Sequence, residues 1–149
     1  MNRKYTTEEF ARSVSRIRDV FPDAALTTDV ITGFPGEENR DFEETVAFVE
    51  NLALAGMHIF PFSPKKGTPA ANFEGQIQPV TKNERAKILK HSDEKLRYKF
   101  LQKNSGKKSK VLFETEVETG VYEGYTTNYI KVRREEDFDM RGMIFEVVL

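Results

Sequence analysis

Apolar residues return at helical intervals near the start of the chain, at Phe10, Val14, Ile17 and Phe21. Thr6-Thr7-Glu8-Glu9 before them has the form of a capping box, with Thr6 capping and Glu9 reaching back, and Pro22-Asp23 stops the helix. Residues 25–32 then read as a buried strand, since positions 28–32 carry β-branched side chains at four of five places. Pro35-Gly36 fits a type II turn, where proline presets φ and glycine accepts a positive φ. Glu37 and Glu38 open a second helix, favoured by the positive end of its dipole, and Phe42, Val46, Val49 and Leu52 form its buried stripe. That helix is expected to end near Gly56, before a second strand, Met57-His58-Ile59-Phe60, broken by Pro61.

Helix, strand, helix, strand is the order of a right-handed βαβ unit with one further helix on the same sheet. Two parallel strands need neighbours and cover on both faces, so this part belongs to something larger. Partner strands come either from another chain or from the rest of a bigger barrel or sheet. Residues 62–79 are dense in turn formers and predict a loop. A long helix follows over 81–103, with Ile88, Leu89, Leu96, Phe100 and Leu101 as its apolar positions and Gly106 past its end. Its lysines and arginines read as a solvated face or, alternatively, as a binding site. The remainder predicts β structure, with strands at 111–117, 125–133 and 142–149 and a turn region over 118–124. Short antiparallel strands of this kind suggest a small OB-like barrel. The fold class is thus α/β plus small all-β, organised as 1–78, a basic helical connector at 79–106, and a β domain at 107–149.

Composition narrows the chemistry. Zero cysteine in 149 residues excludes disulfides, iron–sulfur ligation and thiol catalysis within this chain. His58 and His91 lack metal-type spacing and read as structural. No catalytic triad is in view, so the chain by itself does not read as a complete enzyme. No apolar run approaches a membrane span and no signal-peptide core is present, which points to the cytoplasm. The net charge of −1 hides segregation: 8 basic against 12 acidic residues over 1–78, 11 against 3 over 79–110, and 4 against 9 over 111–149. A basic middle between acidic ends suggests a polyanion contact or a charge-matched interface within the protein.

The run Thr28-Asp29-Val30-Ile31-Thr32-Gly33-Phe34-Pro35-Gly36-Glu37 is the most informative stretch. A strand ending in glycines and feeding a helix is where α/β proteins place ligands, because bare backbone admits a flat ring. A tight βα turn without a ligand has the same sequence. A phosphate is disfavoured: there is no Gly-Lys-Ser/Thr ending, and two acids stand at the helix start.

These residues also resemble a known family, the radical S-adenosylmethionine (SAM) methylthiotransferases, over their C-terminal half. Met1-Asn2-Arg3-Lys4-Tyr5-Thr6 is similar to the family's Met-x-Arg-x-Tyr-Thr before a barrel helix. Residues 28–37 resemble its fifth-strand motif, Thr-Asp-x-Ile-x-Gly-Phe-Pro-Gly-Glu. His58-Ile59-Phe60-Pro61-Phe62-Ser63, with Gly67-Thr68-Pro69-Ala70, resembles its sixth strand and the loop after it. Gly124-Tyr125-Thr126-Thr127-Asn128-Tyr129 is similar to its TRAM domain, a small RNA-binding barrel. The motifs run in the family's order over nearly the whole chain, and the sixth-strand form is that of the branch acting on threonylcarbamoyladenosine beside the tRNA anticodon.

The resemblance implies the last portion of a partial (β/α) barrel, a helical connector and a truncated TRAM barrel that stops at the equivalent of the fourth of five strands, leaving an unpaired edge near Leu149. It implies SAM and two four-iron four-sulfur clusters in the whole protein, each cluster on three cysteines, and none of the six is in this chain. In radical SAM proteins a Gly-x-Ile-x-Gly-x-x-Glu pattern lines the adenine of SAM. Ile31 and Gly33 fall in register as apolar contact and close backbone approach, Asp29 replaces the first glycine, and Glu37 arrives one residue late. Asp29 and Glu37 therefore stand either with the cofactor or as cap and turn stabiliser. For RNA, the candidate cations are Lys107, Lys108, Lys110, Lys131, Arg133 and Arg134, and Tyr125 and Tyr129 are candidates for base stacking; the alternative is that the tyrosines pack the barrel. The implied partners are a tRNA anticodon stem-loop and the missing N-terminal part of the same protein. Two other readings remain, a stand-alone RNA-binding module and a non-catalytic adaptor whose basic helix docks an acidic partner.

Overall fold

Thr6 caps the first helix as its sequence predicts: the Glu9 N–H donates to Thr6 Oγ1 at 3.2 Å and the Thr6 N–H to Glu9 Oε2 at 2.9 Å. In the computed structural model, which describes residues 3–149, this helix is α1, Thr7–Val20. The Met1-Asn2 start of the first family-like motif lies outside the described residues. Strand β1 (Thr27–Thr32), helix α2 (Asn39–Leu52) and strand β2 (Gly56–Pro61) follow, with β1 and β2 paired in parallel from Thr27↔Gly56 to Thr32↔Pro61. Pro61 ends β2 rather than lying outside it, since a terminal strand position tolerates its missing N–H. Ala53 takes φ +48° to close α2, and Arg18 donates to the carbonyls of Leu52 (2.5 Å) and Ala53 (2.7 Å). A single 3₁₀ turn, Pro69–Asn72, interrupts the loop before helix α3, Pro79–Asn104.

The structure divides into two compact units, one taking the chain up to Pro22 with Leu26–Lys99, the other Asp23–Ala25 with Phe100–Leu149. In the first, Val30 and Met57 of the sheet pack on Phe42 and Val49 of α2 and Leu89 and Leu96 of α3. Val14, Leu52 and Leu54 form a neighbouring cluster. The inward stripe of α3 is not the apolar set that the sequence suggested. Lys82, Arg85, Ser92 and Asp93 are buried with Leu89 and Leu96, while Ile88 and Leu101 are exposed. The spacing is that of an ordinary packed helix, but polar side chains occupy four of these six buried positions.

The second unit holds strands β3 (Lys108–Glu118), β4 (Val121–Thr126), β5 (Lys131–Glu135) and β6 (Met143–Val148), antiparallel in the order β5-β4-β3-β6. Here the expected turn at 118–124 and strand at 125–133 are corrected. The turn is only Thr119-Gly120, with Gly120 at φ +74°, and 127–130 turns the chain again. Gly124 lies inside β4 because its neighbours leave no room for a Cβ, which would stand 2.7 Å from Phe113 Cα and nearer still to the Leu112 carbonyl. Val111, Phe113, Tyr122 and Met140 form the core. The sheet is open, not a closed barrel, with β5 and β6 as its edges.

Candidate cofactor wall and nucleic-acid interface

Alternation along β1 and β2 sends Val30, Met57 and Ile59 toward the helices and sets Asp29, Ile31, His58 and Phe60 on the opposite face. Asp29 lies beside His58 and Ile31 beside Phe60 in the register. Asp29 and His58 are exposed, Ile31 is half-buried, and Phe60 is 51% exposed. A groove of about 300 Å³ lined by Tyr5, Phe10, Asp29, Ile31 and Phe48 runs along β1, and one of about 570 Å³ lined by Ile59, Phe60, Lys87 and Lys90 runs along β2.

At the carboxyl end of β1, Gly33 takes φ +68° and Gly36 φ +82°. A Cβ on Gly33 would collide with the Lys82 side chain, so packing against α3 by itself requires glycine there. Lys82 is held in place by donating from Nζ to the Phe62 carbonyl at 3.0 Å. Glu37 is fully engaged by the protein: Oε2 accepts from the N–H of Gly33 (2.7 Å) and of Phe34 (3.2 Å), and Oε1 from Arg85 Nη1 (2.9 Å). Arg85 also donates to the Glu37 carbonyl and to Asn39 Oδ1. Of the four residues assigned to the cofactor, the structure therefore puts Asp29 and Ile31 on one open face and gives Gly33 and Glu37 turn-building contacts. Lys82 and Arg85, the residues that fix this turn, were absent from the sequence expectation. Their i, i+3 spacing, in phase with Leu89 and Leu96, was the available signal.

In the second unit, Val111, Phe113, Tyr122, Gly124 and Thr126 face inward, so Leu112, Glu123 and Tyr125 face outward. Pairing carries one row across the outer face, Lys131–Tyr125–Leu112–Ile144, and places Glu123 opposite Arg133 in the next. Lys131 Nζ stands 5.4 Å from the Tyr125 ring centre, and the Tyr125 and Tyr129 rings are 6.4 Å apart. Glu123 accepts from Lys131 at 2.6 Å and from Arg133 at 3.1 Å. These hydrogen bonds, from Lys131 foremost, hold the Glu123 carboxyl below its ordinary range, and the same contact raises the Lys131 ammonium.

Tyr129 is presented by a built turn. It takes φ +60° and is 82% exposed. Thr126 Oγ1 donates to Asn128 Oδ1 (2.6 Å) and accepts from the Ile130 N–H (2.8 Å), while Asn128 Nδ2 donates to the Asp23 carbonyl (3.0 Å). Lys108 pairs with Glu146 at 3.2 Å, and Lys110 lies opposite Glu146 in the register. Lys107 pairs with Asp23 at 2.9 Å. Arg134 lies opposite buried Tyr122, over the Phe145 ring, and pairs with Glu136 on the side away from Lys131 and Arg133. Leu112, Ile144 and Glu123, which adjoin these candidates on the outer face, were absent from the sequence expectation.

No group of three or more metal-ligating side chains exists among the described residues, and the chain has no thiolate to hold a cluster. No helix among them is long and apolar enough to cross a membrane.

No family model matches the chain. Curated proteins do, tRNA methylthiotransferases among them. Threonylcarbamoyladenosine tRNA methylthiotransferase MtaB of Thermotoga maritima is 41% identical over 88% of this chain, and that of Bacillus subtilis 36% over 99%. The tRNA-2-methylthio-N(6)-dimethylallyladenosine synthase of Geobacillus kaustophilus is 39% identical over 85%. The chain spans 30%, 34% and 24% of the lengths of these three relatives. The relatives that match most of this chain are thus radical SAM methylthiotransferases, and the chain is similar to one segment of them.

Proposed function

We propose that this chain is the C-terminal portion of a cytoplasmic tRNA methylthiotransferase that modifies threonylcarbamoyladenosine next to the anticodon. The observation that carries the reading is colinear similarity to MtaB proteins over almost the whole chain. The open sheet face supports it physically. Asp29, Ile31, His58 and Phe60 would line the interior of a barrel whose other strands lie in the N-terminal part of the same protein. Ile31, with Phe60 beside it, offers an apolar wall for the adenine of SAM, while Glu37 and Arg85 hold the turn above it. SAM supplies the radical chemistry once bound beside a cluster, and the clusters must be held by cysteines outside this chain. In this division of labour the second unit carries RNA: Tyr125 and Tyr129 stack unpaired bases, and Lys131, Arg133, Lys108 and Lys110 contact phosphates.

The test is a hybrid in which this chain replaces the matching segment of the Bacillus subtilis relative, expressed in a strain lacking that enzyme. Mass spectrometry of its tRNA nucleosides should show 2-methylthio-threonylcarbamoyladenosine restored. A methylthio group on dimethylallyladenosine instead would move the chain to the other branch. A stable, cluster-loaded hybrid that forms neither product would overturn the proposal.

A further inference from the structure

Glu123 is the acid bonded to both outward cations of β5, Lys131 and Arg133, while Glu135, on the same face, lies opposite Val121 at the far end of the strand. Its side chain is only 13% exposed, against 51% for Lys131 and 61% for Arg133. One carboxylate oxygen is committed to each cation, Oε1 to Lys131 and Oε2 to Arg133. The carboxylate therefore lies behind the two cations, leaving their outer surfaces in solvent and reducing the charge of the trio from two to one. Lys131 is at the same time kept over the Tyr125 ring.

Two exposed cations on an open sheet would grip any polyphosphate, whatever its sequence, because phosphate contact is the sequence-independent part of nucleic-acid affinity. We propose that Glu123 is an attenuator of phosphate binding on this face. It holds down the charge contribution so that single-stranded RNA is retained chiefly by stacking on Tyr125 and Tyr129. The inference rests on the RNA reading above and adds to it a residue that works against affinity. The competing role for Glu123 is alignment, in which the carboxylate places the cations for RNA and its loss weakens binding.

The experiment compares wild type, Glu123→Gln and Glu123→Asp as full chains. Their affinities for a labelled anticodon stem-loop and for a uridine homopolymer of equal length are measured by fluorescence anisotropy over a salt series. Removing the charge in Glu123→Gln should tighten both RNAs by up to about eight-fold near 50 mM salt and steepen the log–log salt slope by up to ~0.7, the value for one further phosphate on a single strand. Glu123→Asp keeps the charge and should keep the wild-type slope. Weaker or unchanged binding by Glu123→Gln, with wild-type RNA binding intact, overturns the attenuator and leaves the RNA reading standing. A wild-type chain that binds neither RNA overturns both.

Discussion

In the first unit, two parallel strands rest one face on α2 and α3 and leave Asp29, Ile31, His58 and Phe60 outside; in the second, four antiparallel strands enclose Val111, Phe113, Tyr122 and Met140. The difference follows from connectivity. Antiparallel neighbours come from short turns, so the second unit assembles its sheet from 41 consecutive residues, Lys108 to Val148. Parallel neighbours each need a crossover, so a stretch with one crossover yields only two strands. What the first unit lacks in sheet it replaces with polar anchoring, from Arg85 on Glu37 and from Asp93 Oδ1, which accepts from the Met57 N–H at 2.5 Å.

Core truncation separates the two most strongly. Phe113→Ala, at a fully buried side chain, should cost about 3–5 kcal/mol, whereas Ile31→Ala on the open face should cost under ~1 kcal/mol by the same urea-unfolding measurement. A larger loss at Ile31 would mean that its face is covered after all.

Arg85→Met comes next. It leaves the Glu37 carboxylate, with 14% side-chain exposure, without its cation, and about 3 kcal/mol should be lost. Two backbone donors still hold that carboxylate, which keeps the cost at the lower end for a broken buried pair. In the Arg85→Met background, Glu37→Ala should then cost less than it does alone, and additive losses would show that the two do not act together.

The glycine turn gives a smaller, graded effect. Both Gly33→Ala and Gly36→Ala impose a left-handed conformation on alanine, about 1–2 kcal/mol each, but only the first also strikes Lys82. Gly33→Ala should therefore be the more destabilising in thermal unfolding, and Lys82→Ala should relieve part of it. Equal costs at the two glycines would remove Lys82 from the account.

Much of this was legible in the sequence, and the failures have physical causes. The Thr6 cap, the α2 stripe and the βαβ order follow from periodicity and capping chemistry that act within a few residues. The expected turn region over 118–124 took in most of β4, where Gly124 lies inside the strand and its lack of a side chain serves a close approach of β3. Lys82 and Arg85 escaped because a buried cation is recognisable only by its partners, and Glu37 and the Phe62 carbonyl are 48 and 20 residues away. The sheet-face row escaped for a similar reason: Leu112 and Ile144 meet Tyr125 only through register.

Titration supplies the gentlest probe of the second unit. Glu123, lowered by its bond to Lys131, should titrate below its ordinary 4.5, and Asp139, lowered mainly by Arg141, at about 2. Depressed carboxyl pKa values stabilise the folded state above the unfolded value, and that contribution fades as pH falls through the folded one. Carboxyl-carbon NMR should show both midpoints, and an ordinary midpoint at Glu123 would mean that its bonds to Lys131 and Arg133 are not kept in solution.

The most direct test of the central contrast is amide hydrogen exchange on this chain alone and within the Bacillus subtilis hybrid. Supplying the rest of the relative's chain should slow exchange across β1 and β2 and leave β3 to β6 nearly as in the isolated chain. Equal protection of β1 and β2 in both forms would contradict the account, because the parallel pair would then need no neighbours.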